Sequence, residues 1–131
     1  MGTHHYHAVV WIDHREARVF HFNHTDVAKL VLHPEHPTKH IHHKANCVGS
    51  GHVTADREFL HSVAISIADT GAVLITGPAN TKTDLVKHIH DHSPGLEKVI
   101  AGIETVDHPS DGQLVAFARK YFDSEDRMRP Q

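Results

Sequence analysis

The chain has 131 residues, 39% of them hydrophobic and 22% charged, which is typical of one globular domain with a single core. Its longest apolar run, residues 8–12, is too short to span a membrane, and no secretory signal follows the N-terminus, so we expect a cytoplasmic protein. The net charge of −3 argues against a generally basic nucleic-acid-binding surface, and the single cysteine, Cys47, excludes an internal disulfide.

The first part of the chain predicts three antiparallel strands joined by tight turns. Residues 8–13 form an apolar run that ends in a carboxylate, which is typical of a central strand buried on both faces. Residues 17–22 and 28–33 also have strand character. Because only short turns separate these three segments, we predict that they pair as an antiparallel meander.

Residues 34–55 interrupt this pattern with a long histidine- and glycine-rich segment. The whole chain has 17 histidines, and six of them lie between His33 and His52. The segment has no sustained helical or strand period, and connections of this length are generally functional or disordered. Since the ordinary pKa of histidine is about 6.5, exposed histidines would make this half of the chain cationic just below neutral pH.

The rest of the chain alternates helices with strands. Asp56 is a plausible N-cap for a first helix, whose apolar stripe is Phe59, Leu60, Val63, Ala64 and Ile67. A strand at 72–76 runs into Gly77-Pro78, and a helix follows over 81–92. Thr81 and Asp84 have the spacing of a capping box for that helix.

The last predicted elements are a fifth strand at 99–105 and a final helix that ends near residue 122. Ser93-Pro94-Gly95 break the preceding helix, and Ser110 with Gln113 forms a capping box for the final one. Residues 123–131 mix charges without apolar periodicity, so we expect a frayed tail.

The resulting order is β-β-β-α-β-α-β-α. A meander followed by two crossover units is the topology of a ribonuclease H-like α/β domain with a five-stranded mixed sheet. We therefore predict one such domain over residues 1–122.

Three stretches resemble a known superfamily. Residues 77–89, GPANTKTDLVKHI, resemble the Gly-Pro-x-x-x-Lys-x-x-Phe/Leu element in the middle domain of archaeo-eukaryotic class-1 release factors and Pelota-type proteins. Residues 9–22, VVWIDHREARVFHF, and 104–122, ETVDHPSDGQLVAFARKYF, are similar to its bacterial branch, often labelled translational machinery protein or host-attachment-like. The resemblance implies a ribonuclease H-like fold and a role on the ribosome.

The resemblance also implies where ribosome or tRNA would bind. Segment 34–55 lies where release factors carry the Gly-Gly-Gln loop that promotes peptidyl-tRNA hydrolysis, but it contains no glutamine. We therefore expect binding, as in the Pelota-type relatives, rather than catalysis. The predicted binding residues are His42, His43, Lys44, Gly49, Ser50, Gly51, His52, Lys82 and Lys87.

Two alternatives remain open, and a homo-oligomer is compatible with each interpretation. In the first, the protein binds zinc through His40, His42 and His43, because alternate residues of an extended segment share a face; the main interpretation requires no cofactor. In the second, it is a metal-dependent nuclease or esterase. Its candidate carboxylates are Asp13, Glu58, and Asp107 or Asp111.

Overall fold

The structure is a computed structural model that describes residues 6–23, 25–34 and 57–128, with side-chain burial described as far as Asp123. Segment 35–56, which holds most of the predicted binding residues, lies outside the described part. The elements are β1 (His7–Ile12), β2 (Ala17–Phe22), β3 (Val27–Leu32), α1 (Arg57–Ser66), β4 (Ala72–Gly77), α2 (Thr81–His92), α3 (Pro94–Glu97), β5 (Ile100–Thr105) and α4 (Asp111–Met128).

The five strands form one mixed sheet in the order β3-β2-β1-β4-β5. The pairs β1–β2 and β2–β3 are antiparallel, which confirms the predicted meander. The pairs β1–β4 and β4–β5 are parallel, so the helices between these strands act as crossovers. β1 therefore lies in the middle of the sheet, between an antiparallel and a parallel neighbour.

The alternation of side chains along β1 divides the core into two layers. Val10 and Ile12 face α1 and α2, whereas Val9 and Trp11 face α4. All four are almost completely buried, and burial of a side chain of this size contributes about 1.5–3 kcal/mol. The continuous apolar run in the sequence is thus explained by helices on both faces of the sheet.

The final helix begins as predicted and extends further. Ser110 N–H donates to Gln113 Oε1 at 2.9 Å and Gln113 N–H donates to Ser110 Oγ at 3.2 Å, which confirms the capping box. α4 continues through residues 123–128, which the sequence analysis assigns to a frayed tail.

The start of α2 differs from the prediction. Thr81 is the first helical residue, and Asn80 takes the capping position without a side-chain capping bond. The predicted Thr81–Asp84 capping box is therefore wrong, because Thr81 lies one residue too late. Pro94 ends α2 as expected, but it then occupies the first turn of the short α3, a position that proline tolerates.

Gly77 is required where β4 approaches β1. A Cβ at this position would lie 2.3 Å from the carbonyl oxygen of Ile12, closer than atoms of two packed residues approach. One residue earlier, the Thr76 hydroxyl donates to the carbonyl of Val10 at 2.8 Å. The glycine that the sequence marks as a turn signal is thus needed for close packing of two central strands.

Replacing Gly77 by alanine should therefore destabilise the domain. We expect a loss of about 1–3 kcal/mol in the free energy of unfolding, because the new methyl group meets backbone that cannot rotate away. Urea denaturation followed by circular dichroism measures this change. Gly95→Ala is the matched control, because nothing lies within 4 Å of a Cβ there; equal stability of the two variants would contradict the packing argument.

Candidate functional site

The three parallel strands bring their carboxyl ends together at one side of the sheet, which we call the carboxyl edge. β1 ends at Ile12, β4 at Gly77 and β5 at Thr105. α2 begins at Thr81, a few residues beyond β4, so its first N–H groups face the space beyond this edge. Ligands of α/β proteins commonly bind at this side of the sheet.

β3, the strand that precedes segment 35–56 in the chain, ends at the same carboxyl edge. β3 ends at Leu32, which pairs with Ala17, and Ala17 in turn pairs with Ile12 at the end of β1. The last strand residue before this segment therefore lies beside the turn that joins β1 to β2.

α1, the helix that follows segment 35–56 in the chain, begins near that edge, as its direction shows. Nε2 of His21 lies 2.8 Å from the carbonyl oxygen of Ser66, the last residue of α1. His21 pairs with Ala8, near the start of β1, so α1 ends at the opposite edge. Its first residue, Arg57, accordingly lies towards the carboxyl edge.

The two described lysines of the predicted site have different surroundings. Lys82 is only 9% exposed, and its Nζ donates to the carbonyl oxygen of Ala79 at 2.5 Å. It therefore stabilises the turn before α2 and would have to release this bond to reach a ligand. Lys87 is exposed on the same helix. The other predicted binding residues, and the zinc candidates His40, His42 and His43, lie in segment 35–56.

Asp13 has a structural role at the carboxyl edge. Its Oδ1 accepts hydrogen bonds from the backbone N–H groups of Arg15 and Glu16 at 2.8 and 2.9 Å. This is the side-chain-to-backbone pattern by which aspartate fixes a turn. The aspartate at position 13 is thus explained by its role in fixing the turn between β1 and β2.

The carboxylates of the nuclease alternative are not gathered into a metal centre. Within residues 6–23, 25–34 and 57–128, no group of three histidine, cysteine, aspartate or glutamate side chains could hold a metal ion. Asp111 is bound instead by two cations. The described residues therefore give the nuclease alternative no two-metal geometry.

Asp111 joins α4 to the sheet through a cluster of charges that the sequence analysis does not identify. Its Oδ1 accepts a hydrogen bond from Arg18 Nη1 at 2.8 Å, and its Oδ2 accepts one from Lys29 Nζ at 2.6 Å. The bond from Lys29, followed by that from Arg18, lowers the pKa of Asp111 below its ordinary value. The first residue of α4 is thereby linked to both β2 and β3.

Arg18 also links this cluster to the centre of the sheet. Its guanidinium carbon lies 4.6 Å from the ring centroid of Trp11, and its Nη1 donates to the carbonyl oxygen of Pro109 at 3.1 Å. The indole N–H of Trp11 donates to the carbonyl of Asp107 at 2.7 Å. These contacts hold the connection between β5 and α4 at the carboxyl edge.

Loss of the Asp111 charge should cause a small, pH-dependent destabilisation. Because the folded-state pKa is lowered, the stabilisation is present above the ordinary value of 3.8 and is lost as the pH falls through the folded-state value. The carboxylate is 42% exposed, so we expect Asp111→Asn to cost only about 0.5–1 kcal/mol at pH 7.

Urea denaturation of wild type and Asp111→Asn over a pH series measures this effect. The difference between the two proteins should shrink as the pH falls below 3.8. Asp107→Asn is the control, because that side chain is 92% exposed. A constant difference at all pH values would show that the Asp111 carboxylate is not the source.

Comparison with solved structures relates this fold to release-factor-like proteins. The chain is similar to Archaeoglobus fulgidus Pelota, with a TM-score of 0.60 and 12% identity over 87% of this chain and 30% of Pelota. It is similar to S. cerevisiae Dom34, a translation termination-like factor involved in RNA quality control pathways, with a TM-score of 0.58 and 8% identity over 88% of this chain and 33% of Dom34.

A third similar structure is the archaeal translation termination factor aRF1, with a TM-score of 0.55 and 14% identity over 93% of this chain and 38% of aRF1. The chain thus spans less than two-fifths of each of these proteins. No protein-family profile matches it, and no curated protein sequence matches significantly. The similarity therefore defines a release-factor-like α/β fold with a five-stranded mixed sheet.

No helix among the described residues has the length and apolar character needed to cross a membrane.

Proposed function

We propose that this chain is a translation-associated protein that binds the ribosome or tRNA through the carboxyl edge of its sheet. One observation carries the proposal. The described residues that flank segment 35–56 lie at the same edge of the sheet as the Gly77–Lys82 turn. These are the two stretches on which the sequence resemblance places ribosome contacts.

The fold supports the translation-related part of this proposal. The three similar structures are Pelota, Dom34 and aRF1, and the last two are described as translation termination or termination-like factors. We further assign the domain to the ribonuclease H-like class. The meander followed by parallel crossover strands supports this assignment.

The proposed activity is binding without ester hydrolysis or cofactor. Segment 34–55 contains no glutamine, and Gly49-Ser50-Gly51-His52 stands where a release factor would carry Gly-Gly-Gln. A histidine-bound zinc ion, a homo-oligomer and a cytoplasmic location remain predictions from sequence. So does membership of the bacterial branch.

A local cationic surface, rather than net charge, is expected to provide RNA affinity. The chain as a whole carries −3, whereas Arg57 and Lys87 are exposed on α1 and α2. Contacts between such cations and phosphates release counterions from RNA, so affinity should fall linearly with salt concentration on a double-logarithmic plot. Lys82 contributes mainly by fixing the turn.

Co-sedimentation of the untagged full-length chain with purified ribosomes over a salt series tests the proposal. The wild type should pellet with ribosomes at low salt. A variant with His42, His43 and Lys44 all changed to alanine should bind about tenfold or more weakly. Its salt slope should be lower by roughly one unit, since one lysine–phosphate contact is removed.

The matched control changes His90 and Lys98 to alanine. These are a histidine and a lysine that are exposed away from the carboxyl edge, near the end of α2 and the start of β5. The control should bind like the wild type. Equal weakening of both variants would contradict contact at the carboxyl edge, and no wild-type association at low salt would remove the proposed function.

A further inference from the structure

Three imidazole rings pack together where α1 meets α2. The ring centroid of His88 on α2 lies 5.7 Å from that of His61 on α1, in an edge-to-face arrangement. It lies 4.5 Å from that of His92, one turn further along α2. We call His61, His88 and His92 the histidine cluster.

The central ring of the histidine cluster is in a position that disfavours a proton. His88 is only 9% exposed, and its Nε2 is buried with no hydrogen-bond partner in the described structure. A neutral imidazole carries an N–H donor on only one nitrogen, whereas the protonated ring carries an N–H on both. Protonation of His88 would therefore bury a charged donor without an acceptor.

Most of the neighbouring charges also disfavour protonation of His88. Among the described residues, Arg57 and His61 face His88 from α1, and Asp91 and His92 accompany it on α2. Burial, followed by His92 and His61 and then Arg57, lowers the pKa of His88, and only Asp91 opposes them. The surroundings thus favour a neutral ring near pH 7.

We propose that the histidine cluster is a proton-sensitive contact that holds α1 against α2 while His88 is neutral and loosens α1 when His88 is protonated. α1 begins at Arg57, directly after segment 35–56. This inference concerns α1 alone and does not depend on whether the segment binds a ribosome.

The sign of the pH dependence follows from linkage. The pKa of His88 is lowered in the folded state from 6.5, so the α1–α2 contact is fully stable above that pH. As the pH falls below 6.5, the open state binds a proton that the closed state resists. The equilibrium constant for opening therefore rises until the pH has fallen below the lowered folded-state pKa. The total rise is about tenfold for each unit by which the pKa of His88 differs between the open and closed states.

Hydrogen exchange of backbone amides at about pH 7.5 and 5.5, corrected for intrinsic exchange rates, tests the proposal on the full chain. EDTA is present so that no metal ion bridges the imidazoles. In the wild type, the opening of α1 should increase on acidification, by at most about tenfold, because pH 5.5 lies about one unit below 6.5. Amides of β1 should change much less, which separates local loosening from global unfolding.

In His88→Gln the pH response of α1 should be lost, because the buried titrating group is gone. His90→Gln is the matched control: it lies on the same helix, is 63% exposed and pairs with Glu97 at 2.9 Å. Glu97 raises the pKa of His90, the opposite direction to His88. Because His90 is not a member of the histidine cluster, His90→Gln should keep the wild-type loosening of α1. Equal responses in wild type and His88→Gln would overturn the proposal.

A second measurement does not depend on the folding of a core variant. Ring-proton NMR titration of the wild type should give His88 a lower pKa than His90. His61→Phe keeps an aromatic ring at an exposed position but removes one titrating neighbour. It should bring the pKa of His88 closer to 6.5 and reduce the loosening of α1. An unshifted His88 in the wild type would overturn the proposal.

Discussion

The architecture depends on the close parallel pairing of β1 with β4. Backbone contact between Gly77 and Ile12 allows the two strands to run together to the carboxyl edge. Both strands are buried on both faces, so the helices on each side pack against side chains that this pairing positions. The same pairing determines where β4 stops and α2 starts. The strand contact that stabilises the core thus also forms the candidate site.

The helices on both faces of the sheet pack through apolar side chains, but the polar groups beside that packing differ. α4 is held by Asp111, Arg18 and the indole of Trp11, groups whose charge does not change between pH 5 and 8. α1 meets α2 through apolar side chains and imidazoles, and imidazole is the side-chain group whose ordinary pKa lies in that range. We therefore expect α4 to stay in place under conditions that alter the position of α1.

The sequence predicts most of the fold because its signals are local. Apolar periodicity places all five strands and the three longer helices, and the Ser110–Gln113 spacing marks the start of α4. The charge cluster at Asp111 and the packing of His61 on His88 are tertiary contacts between residues far apart in the chain. The alternation of side chains along β2 places Arg18 on the same face of the sheet as Phe20. No sequence spacing, however, identifies Asp111 as the carboxylate that Arg18 contacts. Most predicted binding residues lie in segment 35–56, outside the described residues.

Position-specific photo-cross-linking to ribosomes tests most directly whether the carboxyl edge is the contact surface. One cross-linker replaces Asn80, which is exposed just before α2, and another replaces Asp69, which is exposed near the opposite edge just after α1. The account predicts adducts with ribosomal RNA or tRNA from position 80 and few from position 69. Equal yields from both positions, or adducts mainly from position 69, would contradict it.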